Sequence, residues 1–336
     1  MPEAAAAEMS RTRPIIIAHR GASGYLPEHT LEAKALAHGL GADFLEQDLV
    51  LTRDGVPLVL HDLHLDAVTD AARCYPNRAR ADGRRYAIDF SLAELRKLRV
   101  HERTSPETGE AVYPNRFPLP DRRAPSPFQL HTLDEELSLI RGLNRATGRR
   151  VGIYLELKEP GWHRAEGQDM IAAVLPVLAR HGYRTAADAV FIQCFDPRTL
   201  QQLREKAPNL PLIQLLGESE WWPKPPADFS AMRTPGGLAA VRRYAAGVGP
   251  WIGQILTTPG PGEQPGFTDL VARARASGLL VHPYTLRRDA LPKGIDTFDT
   301  LLHAFLLTLR VDGIFTDFPD LAVRFRDRQA DCGAWA

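Results

Sequence analysis

The chain has 336 residues, 41 basic and 41 acidic side chains, and 44% hydrophobic residues. A formal charge of zero excludes a nucleic-acid binder that relies on a global positive field, and no apolar run reaches the roughly 18 residues a membrane helix needs. Three scattered cysteines, Cys74, Cys194 and Cys332, exclude a disulfide framework or a thiolate zinc site. The length suits two ordinary domains, or one barrel-sized domain with an insertion.

The segment Met1–Arg13 carries no apolar core of an export signal, which fits either a cytoplasmic protein or the start of a mature exported one. A first strand, Ile15–Ala18, runs straight into His19-Arg20-Gly21. The turn Gly21-Ala-Ser-Gly24 lacks the lysine of a phosphate loop and is expected to bring backbone amides near an anion. Thr30–Leu40 reads as an amphipathic helix closed by glycine. The next strand, Asp43–Leu49, places Glu46 and Asp48 on one face, directed into a barrel mouth if Leu45 and Leu49 face helices.

Asp54-Gly55 is a two-residue hairpin signal. Folding Leu58–Leu60 back around it pairs Arg53 with Val56 and Asp48 with His61, in a register that Pro57 could slip by one. Either way, His61-Asp62 returns to the level of the carboxylates. Residues 63–127 break the alternation: they are polar and rich in Arg and Pro, with a helix near Ser91–Leu98, and read as an insertion on one end of the barrel. Ser91-Leu-Ala-Glu94 and Thr132-Leu-Asp-Glu135 both fit the capping box. Further strands follow at Val151–Leu157, Ala189–Phe195, Leu212–Leu216, Leu279–Val281 and Gly313–Phe315, with a loop at Glu218–Pro235 carrying Trp221 and Trp222. Strands alternating with helices over about 300 residues predict an α/β fold, a (βα)₈ TIM barrel rather than an open sheet.

Ionisable residues gather where apolar strands end, which in a barrel is where catalytic groups sit. The set comprises His19 and His61, the carboxylates Glu46, Asp48 and Glu156, and the cations Arg20 and Lys158. Three oxygen ligands without thiolate suit a hard ion, Ca²⁺ or Mg²⁺. Two histidines beside such a site suit phosphodiester cleavage, one taking a proton from the nucleophile and the other protonating the leaving alkoxide. Taken singly, each element has a plainer reading: a loop histidine, or a Glu156–Lys158 pair that only stabilises the barrel interior.

His19-Arg20-Gly21, Pro27-Glu28-His29-Thr30, Glu46-Gln-Asp48 and His61-Asp62 together resemble the signature of the glycerophosphodiester phosphodiesterase family, its bacterial periplasmic branch in particular. Tyr154-Leu-Glu156-Leu-Lys158, Gln193-Cys-Phe195, His282-Pro-Tyr284-Thr285 and Thr316-Asp317-Phe318-Pro319-Asp320 extend the likeness over residues 14–325. The resemblance implies a barrel over 14–325 with the 63–127 subdomain inserted, and flexible termini at 1–13 and 326–336. It implies His19 and His61 as the acid–base pair, and Glu46, Asp48 and Glu156 as ligands of a divalent ion, calcium or alternatively magnesium. It also implies Arg20 on the phosphate with Lys158 nearby, and Glu28, Gln193, Phe195 and Tyr284 lining the substrate site, with Trp251 a further aromatic contact. The implied reaction converts a small glycerophosphodiester into sn-glycerol 3-phosphate and an alcohol such as choline or ethanolamine, in the periplasm. The competing readings are a phospholipase D-like enzyme acting on lysophospholipids and a catalytically silent binding protein.

Overall fold

The computed structural model describes residues 13–335 apart from 106, 120–125, 261, 262 and 264. Eight parallel strands form the barrel: β1 (Ile15–Ala18), β2 (Phe44–Leu51), β4 (Gly152–Leu157), β5 (Val190–Cys194), β6 (Leu212–Leu216), β7 (Gly247–Pro250), β8 (Leu280–Val281) and β9 (Gly313–Thr316), while β3 (Pro57–Val59) lies antiparallel on β2. The order runs β8-β7-β6-β5-β4-β2-β1-β9. The remaining seam is bridged by Asp312 N donating to Val281 O (3.1 Å) and Phe315 N to Pro283 O (3.0 Å). The expected barrel is therefore present.

One barrel strand escapes the sequence pattern. β7 is Gly-Val-Gly-Pro, which lacks the β-branched run that marks strands. Its glycines answer to crowding: a Cβ on Gly247 would lie 2.7 Å from the Leu280 carbonyl oxygen, and one on Gly249 would lie 2.7 Å from Leu215 Cδ2.

The other strands bury both faces, as parallel strands covered by helices do. Leu45, Leu49, Ile153 and Leu155 join the large core between strands and helices. The alternate residues Ile15, Ile17, Phe44, Tyr154, Phe191, Ile213, Leu280 and Phe315 fill the barrel interior. Moving along β1, β2, β4 and β9, the inward positions change from apolar to ionisable: Ile17 then His19, Phe44 then Glu46 and Asp48, Tyr154 then Glu156 and Lys158, Phe315 then Asp317. The apolar layer closes the floor, and the polar layer forms the site.

Among the helices, α1 (Leu31–Gly39) starts where Thr30 Oγ1 accepts from Ala33 N at 3.1 Å. The capping boxes form as read, Ser91–Glu94 opening α2 (Leu92–Leu95) and Thr132–Glu135 opening α3 (Leu133–Thr147). Between β3 and α3 the inserted stretch packs Leu65, Val68, Phe90, Leu95, Leu98 and Val100 onto Val50, Leu58 and Leu60 of the hairpin, a second apolar cluster of its own.

Two expectations are corrected. The hairpin pairs Leu49 with Val59 and Leu51 with Pro57, the one-residue slip allowed for at Pro57. Thr52 N donates to Val56 O, so the loop is the three residues Arg53-Asp54-Gly55, with Gly55 at φ 75°. A three-residue loop with glycine in the left-handed position replaces the two-residue turn. The expected flexible tail from 326 is also wrong in its first half, because α4 (Pro319–Asp331) passes through that boundary. Arg326 is 1% exposed and binds Asp43 and the Pro14 carbonyl. Most of the other expected flexible terminus, residues 1–12, lies outside the described residues. Among the described residues, no helix is long and apolar enough to cross a membrane, and the three cysteines are free.

Candidate active site

β1 ends in His19, whose Nδ1 lies 2.6 Å from Asp317 Oδ1, at the end of the neighbouring β9. The hairpin delivers His61, whose Nδ1 lies 2.6 Å from Asp62 Oδ1. In a neutral imidazole this bond places the proton on Nδ1 and leaves the Nε2 lone pair available. Nε2 of neither ring has a hydrogen-bond partner among the described residues. Burial pushes His19 down to about 4, with Asp317 opposing and Arg20 adding to the shift. It pushes His61 down to about 3, assisted by Arg20 and Lys158. Both rings thus feel the Arg20 guanidinium and are uncharged near neutral pH.

The three carboxylates lie on the neighbouring strands β2 and β4, though the ligand atoms within 4.8 Å of one another belong to His29, Glu46 and Asp48, without Glu156. Asp48 on β2 stands opposite Glu156 on β4 in the strand register, and Glu46 lies one inward position below Asp48. Lys158 Nζ is 2.6 Å from Glu156 Oε1 and 3.7 Å from Asp48 Oδ1. Burial and the neighbouring Asp48 push Glu46 well above the ordinary carboxyl range. Burial pushes Glu156 up to about 7, Lys158 opposing and Asp48 adding. For Asp48, burial alone would act the same way, but Lys158, His61 and His29 outweigh it and hold the group low. Gln193 Nε2 faces Glu46 Oε1 at 3.4 Å.

Arg20 has a left-handed backbone, φ 57°, a strained state for a side-chain-bearing residue that clusters at functional sites. Its amide donates to Glu46 Oε2 at 2.6 Å, and its guanidinium pairs with both oxygens of Glu28 at 3.0 Å. Glu28, expected among the substrate contacts, is 6% exposed and serves as the counter-ion of Arg20 and Arg103. In the glycine turn the amides of Gly21, Ala22 and Gly24 are taken, donating to the carbonyls of Ala18, Ala33 and Asp317 and not to an anion. Phe195 and Tyr284 sit on the rim, rings 6.1 Å apart, with Lys158 Nζ 6.0 Å from the Phe195 centroid. The Tyr284 hydroxyl donates to the Leu216 carbonyl at 2.8 Å. Trp221 and Trp251 extend this aromatic rim, and Trp222 Nε1 donates to Glu159 Oε1 at 2.6 Å.

His29 was not assigned a role from sequence. Its Nε2 lies 2.7 Å from Asp48 Oδ2, and its backbone is also left-handed, φ 54°. His29, Glu46 and Asp48 offer ligand atoms all within 4.8 Å of one another, and Asp48 Oδ1 is buried without a hydrogen-bond partner. A buried oxygen-rich set with one imidazole, an unsatisfied carboxylate oxygen and a carboxyl raised by its neighbours fits a hard divalent cation. Lys34, fully buried, donates its ammonium to the Glu46 carbonyl and pairs with Glu136 at 3.0 Å, fixing the β2 backbone from behind. Its interior helical position gave no sequence signal for this.

The comparisons agree with the geometry. Residues 19–321 match the model of the glycerophosphoryl diester phosphodiesterase family. A glycerophosphodiester phosphodiesterase of Haemophilus influenzae is 41% identical over 93% of this chain and 89% of its own length, and one of Treponema pallidum is 36% identical over 94% and 92%. Among solved structures, a chain from Silicibacter pomeroyi superposes with TM-score 0.72 at 27% identity, covering 96% of this chain and 97% of that one. An Oleispira antarctica phosphodiesterase, solved with the product sn-glycerol-3-phosphate, shares the fold at TM-score 0.61 and 22% identity, covering 94% and 97%. The chain belongs to the glycerophosphoryl diester phosphodiesterase family and is a phosphoric diester hydrolase.

Proposed function

We propose that the chain hydrolyses small glycerophosphodiesters, such as glycerophosphocholine and glycerophosphoethanolamine, to sn-glycerol 3-phosphate and the free alcohol. His19 and His61 are the acid–base pair, and Glu46, Asp48 and Glu156, with His29 beside them, hold a calcium or magnesium ion. The observation that carries the reading is the pair of imidazoles, His19 buried and His61 partly exposed, each with Nδ1 tied to a carboxylate, at the barrel end that also gathers three acidic side chains, Arg20 and Lys158.

One imidazole Nε2 accepts the proton of the attacking oxygen as its bond to phosphorus forms. The other imidazole, protonated at Nε2 once the anionic diester lies beside it, gives that proton to the departing alkoxide as the bond from phosphorus to the alcohol breaks, so water is consumed overall and proton exchange with solvent returns both rings to their starting states. Arg20 and Lys158 face the anionic diester, whose charge offsets the lowering that these two cations add to that of burial at His61. The cation, when bound, neutralises charge on the non-bridging phosphate oxygens. Burial excludes bulk water and strengthens each of these interactions.

A second reading, turnover of lysophospholipids, draws on Trp221 and Trp251, exposed on the rim at 45% and 38%. Incubating the enzyme and calcium with glycerophosphocholine, then with lysophosphatidylcholine, separates the two. Release of sn-glycerol 3-phosphate from the first substrate at the higher kcat/KM is expected, and preference for the acylated one overturns the proposal.

A further inference from the structure

The insertion between β3 and α3 reaches into the site at two points, and both lie behind the histidines. Arg103 donates from its NH1 nitrogen to Asp62 Oδ2 at 2.7 Å, while Nε and its other terminal nitrogen grip Glu28 at 2.9 and 2.7 Å. Arg116, its side chain 4% exposed, donates to Asp317 Oδ2 at 2.6 Å. Asp62 and Asp317 are the carboxylates that hold His61 and His19. Each therefore gives one oxygen to an imidazole and the other to an arginine of the insertion.

A carboxylate held at one oxygen can swing and carry its imidazole with it, whereas one held at both is fixed in plane and direction. Arg103 also joins the two halves of the site, since Glu28, gripped by its fork, is the counter-ion of Arg20. A run of side chains from Arg20 through Glu28, Arg103 and Asp62 thus ends at His61. The Asp317 end is held twice, because Arg287 Nε, from the segment after β8, also lies 2.8 Å from Asp317 Oδ2.

Resting on the assignment of His19 and His61 as the acid–base pair, we propose that Arg103 and Arg116 are positioning residues, so that the insertion completes the active site by fixing both histidine–carboxylate pairs. If these arginines only fastened the insertion to the barrel, their loss would lower stability and leave the turnover of folded enzyme alone.

The test is steady-state kinetics on glycerophosphocholine with the full chain and saturating calcium, with urea unfolding run alongside. Arg103→Gln is expected to lower kcat about ten- to a hundredfold, the range seen when a partner behind a functional side chain is lost, with KM within about threefold. Arg103→Lys should not rescue it, because one ammonium cannot span Glu28 and Asp62 as the guanidinium fork does. Arg116→Gln should cost less, because Arg287 remains, and the double replacement R116Q/R287Q should reach the larger loss. On an Asp62→Asn background, R103Q should add much less than its own loss in kcat, since it acts chiefly through Asp62.

An additive loss in that double variant, a change confined to KM, or unchanged kcat in R103Q and R116Q/R287Q overturns the proposal. Should R103Q fail to fold, the Arg116 and Arg287 series decides alone. Activity retained in His19→Ala and His61→Ala would instead defeat the underlying acid–base assignment. Loss there beside unchanged arginine variants defeats only this inference.

Discussion

His29 Nε2 lies 2.7 Å from Asp48 Oδ2, on a residue whose left-handed backbone swings the ring back over β2. The contact puts an imidazole edge against the most acidic of the three clustered carboxyls. His29→Ala should raise the calcium concentration that half-restores activity to chelator-treated enzyme by about ten- to a hundredfold. An unchanged half-restoring concentration would remove His29 from the cation site.

His19→Ala and His61→Ala should each lower kcat by about 10²–10⁴-fold. The purified variants should keep the far-ultraviolet dichroism of the parent, since neither ring belongs to the apolar clusters that hold the fold. Turnover within threefold of the parent in either variant would exclude that ring from proton transfer.

Stripping divalent ions with EDTA should abolish turnover, and calcium or magnesium should restore it. Glu46 and Glu156 sit buried with too little positive charge around them, so the ion should also stabilise the fold. At a free concentration a hundred times its dissociation constant, the gain is about 2.7 kcal/mol. Full activity after dialysis against chelator, with an unfolding midpoint that ignores added calcium, would contradict the site.

His282 is fully buried in the barrel, with Nδ1 2.9 Å from the Tyr154 hydroxyl, and burial pushes it down to about 3. In the unfolded chain the ring titrates near 6.5, so below that pH the unfolded state takes up a proton that the folded state refuses. The stability this group contributes is complete above pH 6.5 and is lost as pH falls towards 3, at up to about 1.4 kcal/mol per pH unit. His282→Gln should flatten the decline in urea midpoint between pH 6.5 and about 4. An identical slope in the variant would show that other groups set the acid limit.

Gly247→Ala should destabilise the barrel by about 1–3 kcal/mol, because the new methyl group would meet the Leu280 backbone, which cannot retreat within a parallel ladder. Gly142, inside α3, has nothing within 4 Å of an added Cβ. There alanine should stabilise by about 0.5–1 kcal/mol. Urea titrations of the two variants should move in opposite directions, and a neutral G247A would mean that β7 has room to spare.

Where a residue's placement follows from the spacing of its own strand, the sequence was enough to see it. Glu46 and Asp48 share a face because strand side chains alternate, and the return of His61 follows from the hairpin signal at Asp54-Gly55. The hairpin register was harder, since the choice between a two- and a three-residue loop turns on where Gly55 adopts its left-handed backbone. β7 was illegible for a different reason: its glycines are set by neighbours on β6 and β8, and a Gly-Val-Gly-Pro segment looks like a turn when read alone. His29 belongs to a loop, where no period tells which way a side chain points. Arg103 and Arg116 meet carboxylates 41 and 201 positions away, from a segment whose composition suggests only a solvated surface.

The last helix has a mechanical consequence for anyone altering this molecule. α4 begins two residues after Asp317 and runs for 13 residues, and seven residues along it, about 10 Å on, Arg326 bolts the starts of β1 and β2 together. One rigid rod thereby couples the catalytic rim to the base plate. A fusion joint or a shortened variant should keep the chain through Trp335, which packs on the core and donates to the Arg326 carbonyl, since cutting at 325 would remove the bolt while sparing every residue of the candidate site.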